Sequence, residues 1–99
     1  MAKSIDAIVM NQKDNVAVAL RNIRKGSTVR TSIGKDTFIH TVIRDIPSGH
    51  KFAISPIREG EEVIKYGESI GKATRDISAG DHVHVHNLVS QRGRGDLKQ

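Results

Sequence analysis

Apolar positions in this chain come in short bursts, never in the long stripes that a helical bundle needs. Residues 7–10 read Ala-Ile-Val-Met, and residues 16–20 read Val-Ala-Val-Ala-Leu, alternating branched and small side chains. Residues 37–43 read Thr-Phe-Ile-His-Thr-Val-Ile and are mostly β-branched, while Val63-Ile64 and residues 82–85 add two further runs. β-Branched residues suit a pleated, half-buried surface, so each burst predicts a strand. Helical periodicity never extends over three turns, and residues 15–23 come nearest to a short helix. The pattern predicts an all-β domain with at most one or two helical turns.

The polar breaks between the bursts share a signature. Ile, two residues and Gly recur as Ile23-Arg24-Lys25-Gly26, Ile46-Pro47-Ser48-Gly49, Ile57-Arg58-Glu59-Gly60 and Ile77-Ser78-Ala79-Gly80. Glycine takes up a positive φ at little steric cost, so each tetrad reads as a tight turn hung on one buried isoleucine. Pro47 is expected to preset φ at the first central turn position. The intervals are uneven, which excludes a solenoid of fixed period. One corner, reused, is the simplest reading.

Composition narrows the picture. At 99 residues, 36% hydrophobic and only 3% aromatic, the chain supports one domain with a thin core of Val, Ile and Ala. A deep private pocket is not expected, and a partner supplying further walls would fit. There is no cysteine, so thiolate and disulfide chemistry are excluded within the chain. No stretch reads as a secretory signal or a membrane span, and a cytoplasmic protein is expected. The boundaries predicted are a domain over 1–89 and a basic tail over 90–99, flexible or ordered only against a partner.

The net charge of +5 suggests nucleic acid, but acidic residues sit beside the basic ones, as in Arg44-Asp45, Arg58-Glu59 and Arg75-Asp76. Phe38, Phe52 and Tyr66 are the only aromatics and make no stacking platform. Small anionic substrates account for the balance equally well, so neither a nucleic-acid nor a membrane partner is expected.

Three stretches offer chemistry. Asp81-His82-Val83-His84-Val85-His86-Asn87 reads as a strand with its three imidazoles on one face and Val83 and Val85 toward the core. Such a face can give two or three nitrogens to iron, manganese or zinc. Alternate strand residues stand about 6.6–7 Å apart, so His82 and His86 could share an ion only across a bend. A polar strand face backed by valine explains the same spacing, and the pattern leaves both readings open. Gly49-His50-Lys51 offers a cation for a carboxylate and an imidazole to ligate or shuttle a proton, although turns also carry such residues without function. In Ile64-Lys65-Tyr66-Gly67, Lys65 is a candidate anion contact and Tyr66 a candidate acid; the plain alternative is a strand end with a half-buried tyrosine. His40 reads as structural. No nucleophile elbow, phosphate loop or dinucleotide fingerprint occurs.

Taken in order, four blocks resemble the altronate/galactarate dehydratase family: residues 13–20, 46–53, 63–73 and 81–87. The resemblance runs over about residues 7–88 and implies a SAF domain with the β-clip fold. In that family the domain is fused to a large catalytic region or forms a separate small subunit. A chain ending just after the domain fits the separate form, as in the small subunit of sulfolactate sulfo-lyase. The chemistry implied is β-elimination next to a carboxylate, with a base at the α-proton, a metal on the enediolate and an acid at the leaving hydroxyl. Residue by residue, the resemblance implies His50, Lys51 and Tyr66 as catalytic and Lys51, Lys65 and Asn87 as substrate-binding. It implies His84 and His86 as metal ligands, with His82 less favoured. A divalent metal, Fe(II) or Mn, shared with or held by a large catalytic subunit, is the expected cofactor. A sugar acid is the expected substrate, and a homo-oligomer is possible. Elimination of sulfite from a sulfolactate, or a non-catalytic module that binds carbohydrate acids, are the alternatives.

Overall fold

The computed structural model describes residues 4–90. Among these, nine short strands run in chain order: β1 (Ala7–Val9), β2 (Val16–Ala19), β3 (Thr28–Ile33), β4 (Asp36–Thr41), β5 (Lys51–Ala53), β6 (Glu62–Lys65), β7 (Glu68–Ala73), β8 (His82–Val83) and β9 (Leu88–Ser90). No helix occurs among the described residues, in keeping with the all-β expectation. Six strands form one sheet in the order β4-β3-β1-β2-β5-β8, and three form another in the order β6-β7-β9. All the pairings are antiparallel except β1 with β3.

The four Ile-x-x-Gly tetrads meet in two couples. Ile23 and Ile46 exchange backbone hydrogen bonds of 2.8 and 2.7 Å, and Ile57 and Ile77 exchange bonds of 2.9 and 2.7 Å. The tetrad glycines have φ of 85–87°, the left-handed region that the second central residue of a type II turn requires. Each turn closes one residue later than the sequence suggested, His50 N–H donating to Pro47 O, so Pro47 occupies the first position and not a central one. The residue before three of the four isoleucines latches the partner turn. Asp45 Oδ1 accepts from Lys25 N–H, Asn22 Oδ1 from Ser48 N–H, and Asp76 Oδ1 from Glu59 N–H. In the fourth place stands Pro56, which has no side-chain acceptor.

Each couple seeds a core. Ile23 and Ile46 pack with Ala7, Ala17, Val29 and Phe52, whereas Ile57 and Ile77 pack with Val16, Ala53, Val63 and Val83. β2 and β5 lie between the clusters and send neighbouring residues to opposite ones, as strand alternation dictates. Burying one such isoleucine contributes on the order of 2 kcal/mol. Asn15 ties the sheets together. Its N–H donates to Ile64 O, its Oδ1 accepts from Ile64 N–H, and its Nδ2 donates to Glu62 O.

The strand expected over residues 81–87 is corrected. β8 stops at Val83, and residues 84–87 turn. Buried Asn87 causes the break: its Oδ1 accepts from His84 N–H at 3.0 Å and its Nδ2 donates to His82 O at 2.8 Å. A side-chain amide that bonds nearby backbone competes with a sheet ladder. Val85, expected in the core, is 82% exposed at the tip of the turn. Of the tail expected from residue 90, Ser90 closes β9 and residues 91–99 lie outside the described residues.

Candidate functional site

The β5–β8 register pairs Lys51 with Val83 and Phe52 with His82, so its next step sets His50 opposite His84. Their rings stack with centroids 4.5 Å apart. His82 completes the group: His50 Nδ1 and His82 Nε2 are 2.8 Å apart, and the His82 and His84 rings stack at 5.5 Å. One nitrogen from each of His50, His82 and His84 lies within 4.8 Å of the other two. Ligand nitrogens bound to one ion at about 2.1 Å stand about 3.0–3.4 Å apart. Small ring rotations would therefore let all three share a divalent cation.

The electrostatics favour ligation. Burial, followed by the neighbouring His50, His86 and His84, lowers the His82 pKa to about 4, with Asp81 opposing weakly. His84 is lowered by burial, then by His50, Lys51 and His86. Neutral imidazoles are the form that binds metal. Asp81 sets the start of β8: its Oδ1 accepts from His82 N–H and from Arg44 Nε, both at 2.8 Å.

Beside the histidines stands a pair of lysines. Lys51 is half-buried, and its pKa is lowered first by burial and then by Lys65. Lys65 Nζ lies 5.2 Å from the centre of the Tyr66 ring. Lys65 ends β6, and Tyr66-Gly67 forms the two-residue turn to β7, held from below by the carboxylate of Asp14. Thus the 13–20 stretch grips the 63–73 stretch, and the 46–53 stretch pairs with the 81–87 stretch.

Not every residue singled out in the sequence joins this group. His84 does, but its companions are His50 and His82, not the expected His86. His86 tilts against His82 with ring centroids 5.3 Å apart and lines an open groove with Arg44, Arg75, Asp76 and Ser78. Asn87, expected to touch substrate, has both ends of its amide engaged in the turn. Tyr66 is 60% exposed instead of half-buried. His40 packs its ring edge-on against Phe52 in the core, as a structural residue would. Two residues that position the site, Asp14 and Asn15, stand in the 13–20 block but have no role assigned from the sequence. An Asp-Asn pair just before an alternating apolar run was the available signal.

A small all-β domain with coupled glycine corners and a polar histidine–lysine cluster defines the class. Residues 5–91 match the altronate/galactarate dehydratase SAF domain, and the chain belongs to that family. Over 92 residues it is 46% identical to the altronate dehydratase of Escherichia coli (strain K12), a match covering 93% of this chain and 17% of that protein. It is 37% identical over 92 residues to the (2R)-sulfolactate sulfo-lyase subunit alpha of Chromohalobacter salexigens, covering 90% of this chain and 98% of that subunit. The corresponding subunit of Paracoccus pantotrophus is 47% identical over 64 residues, or 65% of this chain and 94% of the subunit. The chain thus spans less than a fifth of the altronate dehydratases and nearly all of the sulfo-lyase alpha subunits. These relatives are dehydratases and lyases.

Proposed function

We propose that this chain is the small subunit of a sugar-acid hydro-lyase of the altronate/galactarate type, completing an active site built mostly by a separate large subunit. The observation behind this reading is the grouping of His50, His82 and His84, with Lys51 acting on His84 and Lys65 on Lys51. Neutral nitrogen ligands beside two amines suit a carboxylate that carries a neighbouring hydroxyl.

His50, His82 and His84 would hold the divalent ion, Fe(II) or Mn(II), which when bound would stabilise an enediolate. Lys65 would orient the substrate carboxylate. Lys51, whose burial favours the neutral amine, would accept the α-proton at Nζ. Tyr66 Oη would donate to the departing hydroxyl, so that water leaves as the Cβ–O bond breaks. The near-complete correspondence with the sulfo-lyase alpha subunits favours a second reading, in which sulfite leaves instead.

Mixing the chain with a large catalytic subunit of this family tests both readings. Keto-acid formation from altronate or galactarate, or sulfite release from sulfolactate, is expected only from the mixture. His84→Ala should abolish it, and His86→Ala should leave more than half. Full activity of the large subunit alone would overturn the proposal.

A further inference from the structure

The turn between β6 and β7 carries a conformation that the fold does not need. Lys65 pairs with Glu68, so Tyr66 and Gly67 alone connect the strands, and their φ values are 58° and 77°. Positive φ at both central residues is the type I′ hairpin turn, which favours Asn-Gly or Asp-Gly. Tyr66 is the only described residue other than glycine with a positive φ. A bulky side chain in that region is strained.

Nothing in the packing compensates for a tyrosine here. The side chain is 60% exposed and belongs to neither core cluster, and its one aromatic contact is Lys65 Nζ over the ring. The turn is instead held through its backbone. Asp14, 6% exposed, accepts at Oδ2 from the N–H groups of Asn11 at 3.1 Å and Tyr66 at 3.0 Å, and at Oδ1 from Gly67 N–H at 2.8 Å. Those bonds serve any residue at position 66. The fold therefore accounts for the turn and not for the phenol.

We infer that Asp14 is a positioning residue that forces Tyr66 into a disfavoured conformation so that its phenol faces an anionic, hydroxylated ligand beside Lys65 and Lys51. The inference rests on the sugar-acid reading and adds to it a residue, a mechanism and a cost in stability. Residues under strain in an otherwise relaxed fold gather where a ligand must be met by a preset side chain.

The test uses the chain assembled with a large catalytic subunit of this family, with galactarate or altronate in the presence of Mn(II), read by calorimetry, together with the melting temperature of the chain without ligand. Tyr66→Asn, which suits the turn, should raise the melting temperature by about 4 °C and weaken galactarate binding on the order of tenfold. Tyr66→Phe should leave the melting temperature unchanged and weaken binding similarly. Asp14→Asn should lower the melting temperature and weaken binding, and its loss of affinity should not add to that of Tyr66→Asn. A melting temperature that falls in Tyr66→Asn would overturn the strain. A raised one with unchanged affinity would overturn the role of the phenol, and fully additive losses would overturn that of Asp14. Failure of the wild-type chain, assembled with the large subunit, to bind either galactarate or altronate would refute the sugar-acid reading instead, and the ligand-facing role with it.

Discussion

His82 is the residue on which the site's electrostatics turn. Its ring lies within 5.5 Å, centre to centre, of those of His50, His84 and His86, and its pKa sits near 4, below the ordinary 6.5. Because the folded pKa is the lower one, the unfolded chain binds more protons between pH 6.5 and 4. Stability is therefore complete above about pH 6.5 and declines as pH falls toward 4. His84 and His40 act in the same direction, His40 through burial alone. We expect urea unfolding to show a clear loss of stability between pH 7.5 and 5, and a smaller loss for His82→Asn. Equal losses would show that the imidazole cluster is not the source. The Gly49-His50-Lys51 and His82–His86 stretches were legible as chemistry in the sequence. Which imidazoles converge was not, because His50 meets His82 across 32 residues through a strand register that local spacing does not encode.

At the scale of elements, the tetrads read correctly as turns anchored by isoleucine, yet their coupling was invisible. Alternation shows that a residue is buried but not against which other it packs. β3 and β7 were missed for a different reason. Thr28–Ile33 mixes polar with apolar residues, and Gly71 inside Glu68–Ala73 reads as a break. Gly71 stands there because a Cβ would come within 2.2 Å of Val89 O in the neighbouring strand. Space also separates the tetrad glycines. A Cβ on Gly26 would meet nothing within 4 Å, whereas one on Gly80 would lie 2.3 Å from Thr41 O. Gly26→Ala should thus cost only the backbone strain, about 1–2 kcal/mol, and Gly80→Ala clearly more, as chemical denaturation of both variants will show. Equal costs would mean that the contact with Thr41 is easily relieved.

Over the whole molecule, two small cores share β2 and β5 and are bridged by the side chain of Asn15. Asn15→Ala removes both side-chain bonds and leaves Ile64 N–H without its acceptor, so a loss of about 2 kcal/mol is expected. Hydrogen exchange at Ile64 should quicken more than at Val29 in the other core; uniform quickening would mean that the bridge does not divide the molecule. That the described residues are all β was legible from the short apolar bursts. That their core is double was not, since both halves draw on the same Val, Ile and Ala. The couples also differ in how they are latched. Asn22 and Asp45 each hold the other's turn, but Pro56 gives nothing back to the Ser78–Gly80 corner that leads into His82. The corner beneath the histidines is held by its main chain instead: Gly80 N–H donates to Ala53 O at 2.7 Å, and Gly80 O accepts from Ile43 N–H at 2.9 Å.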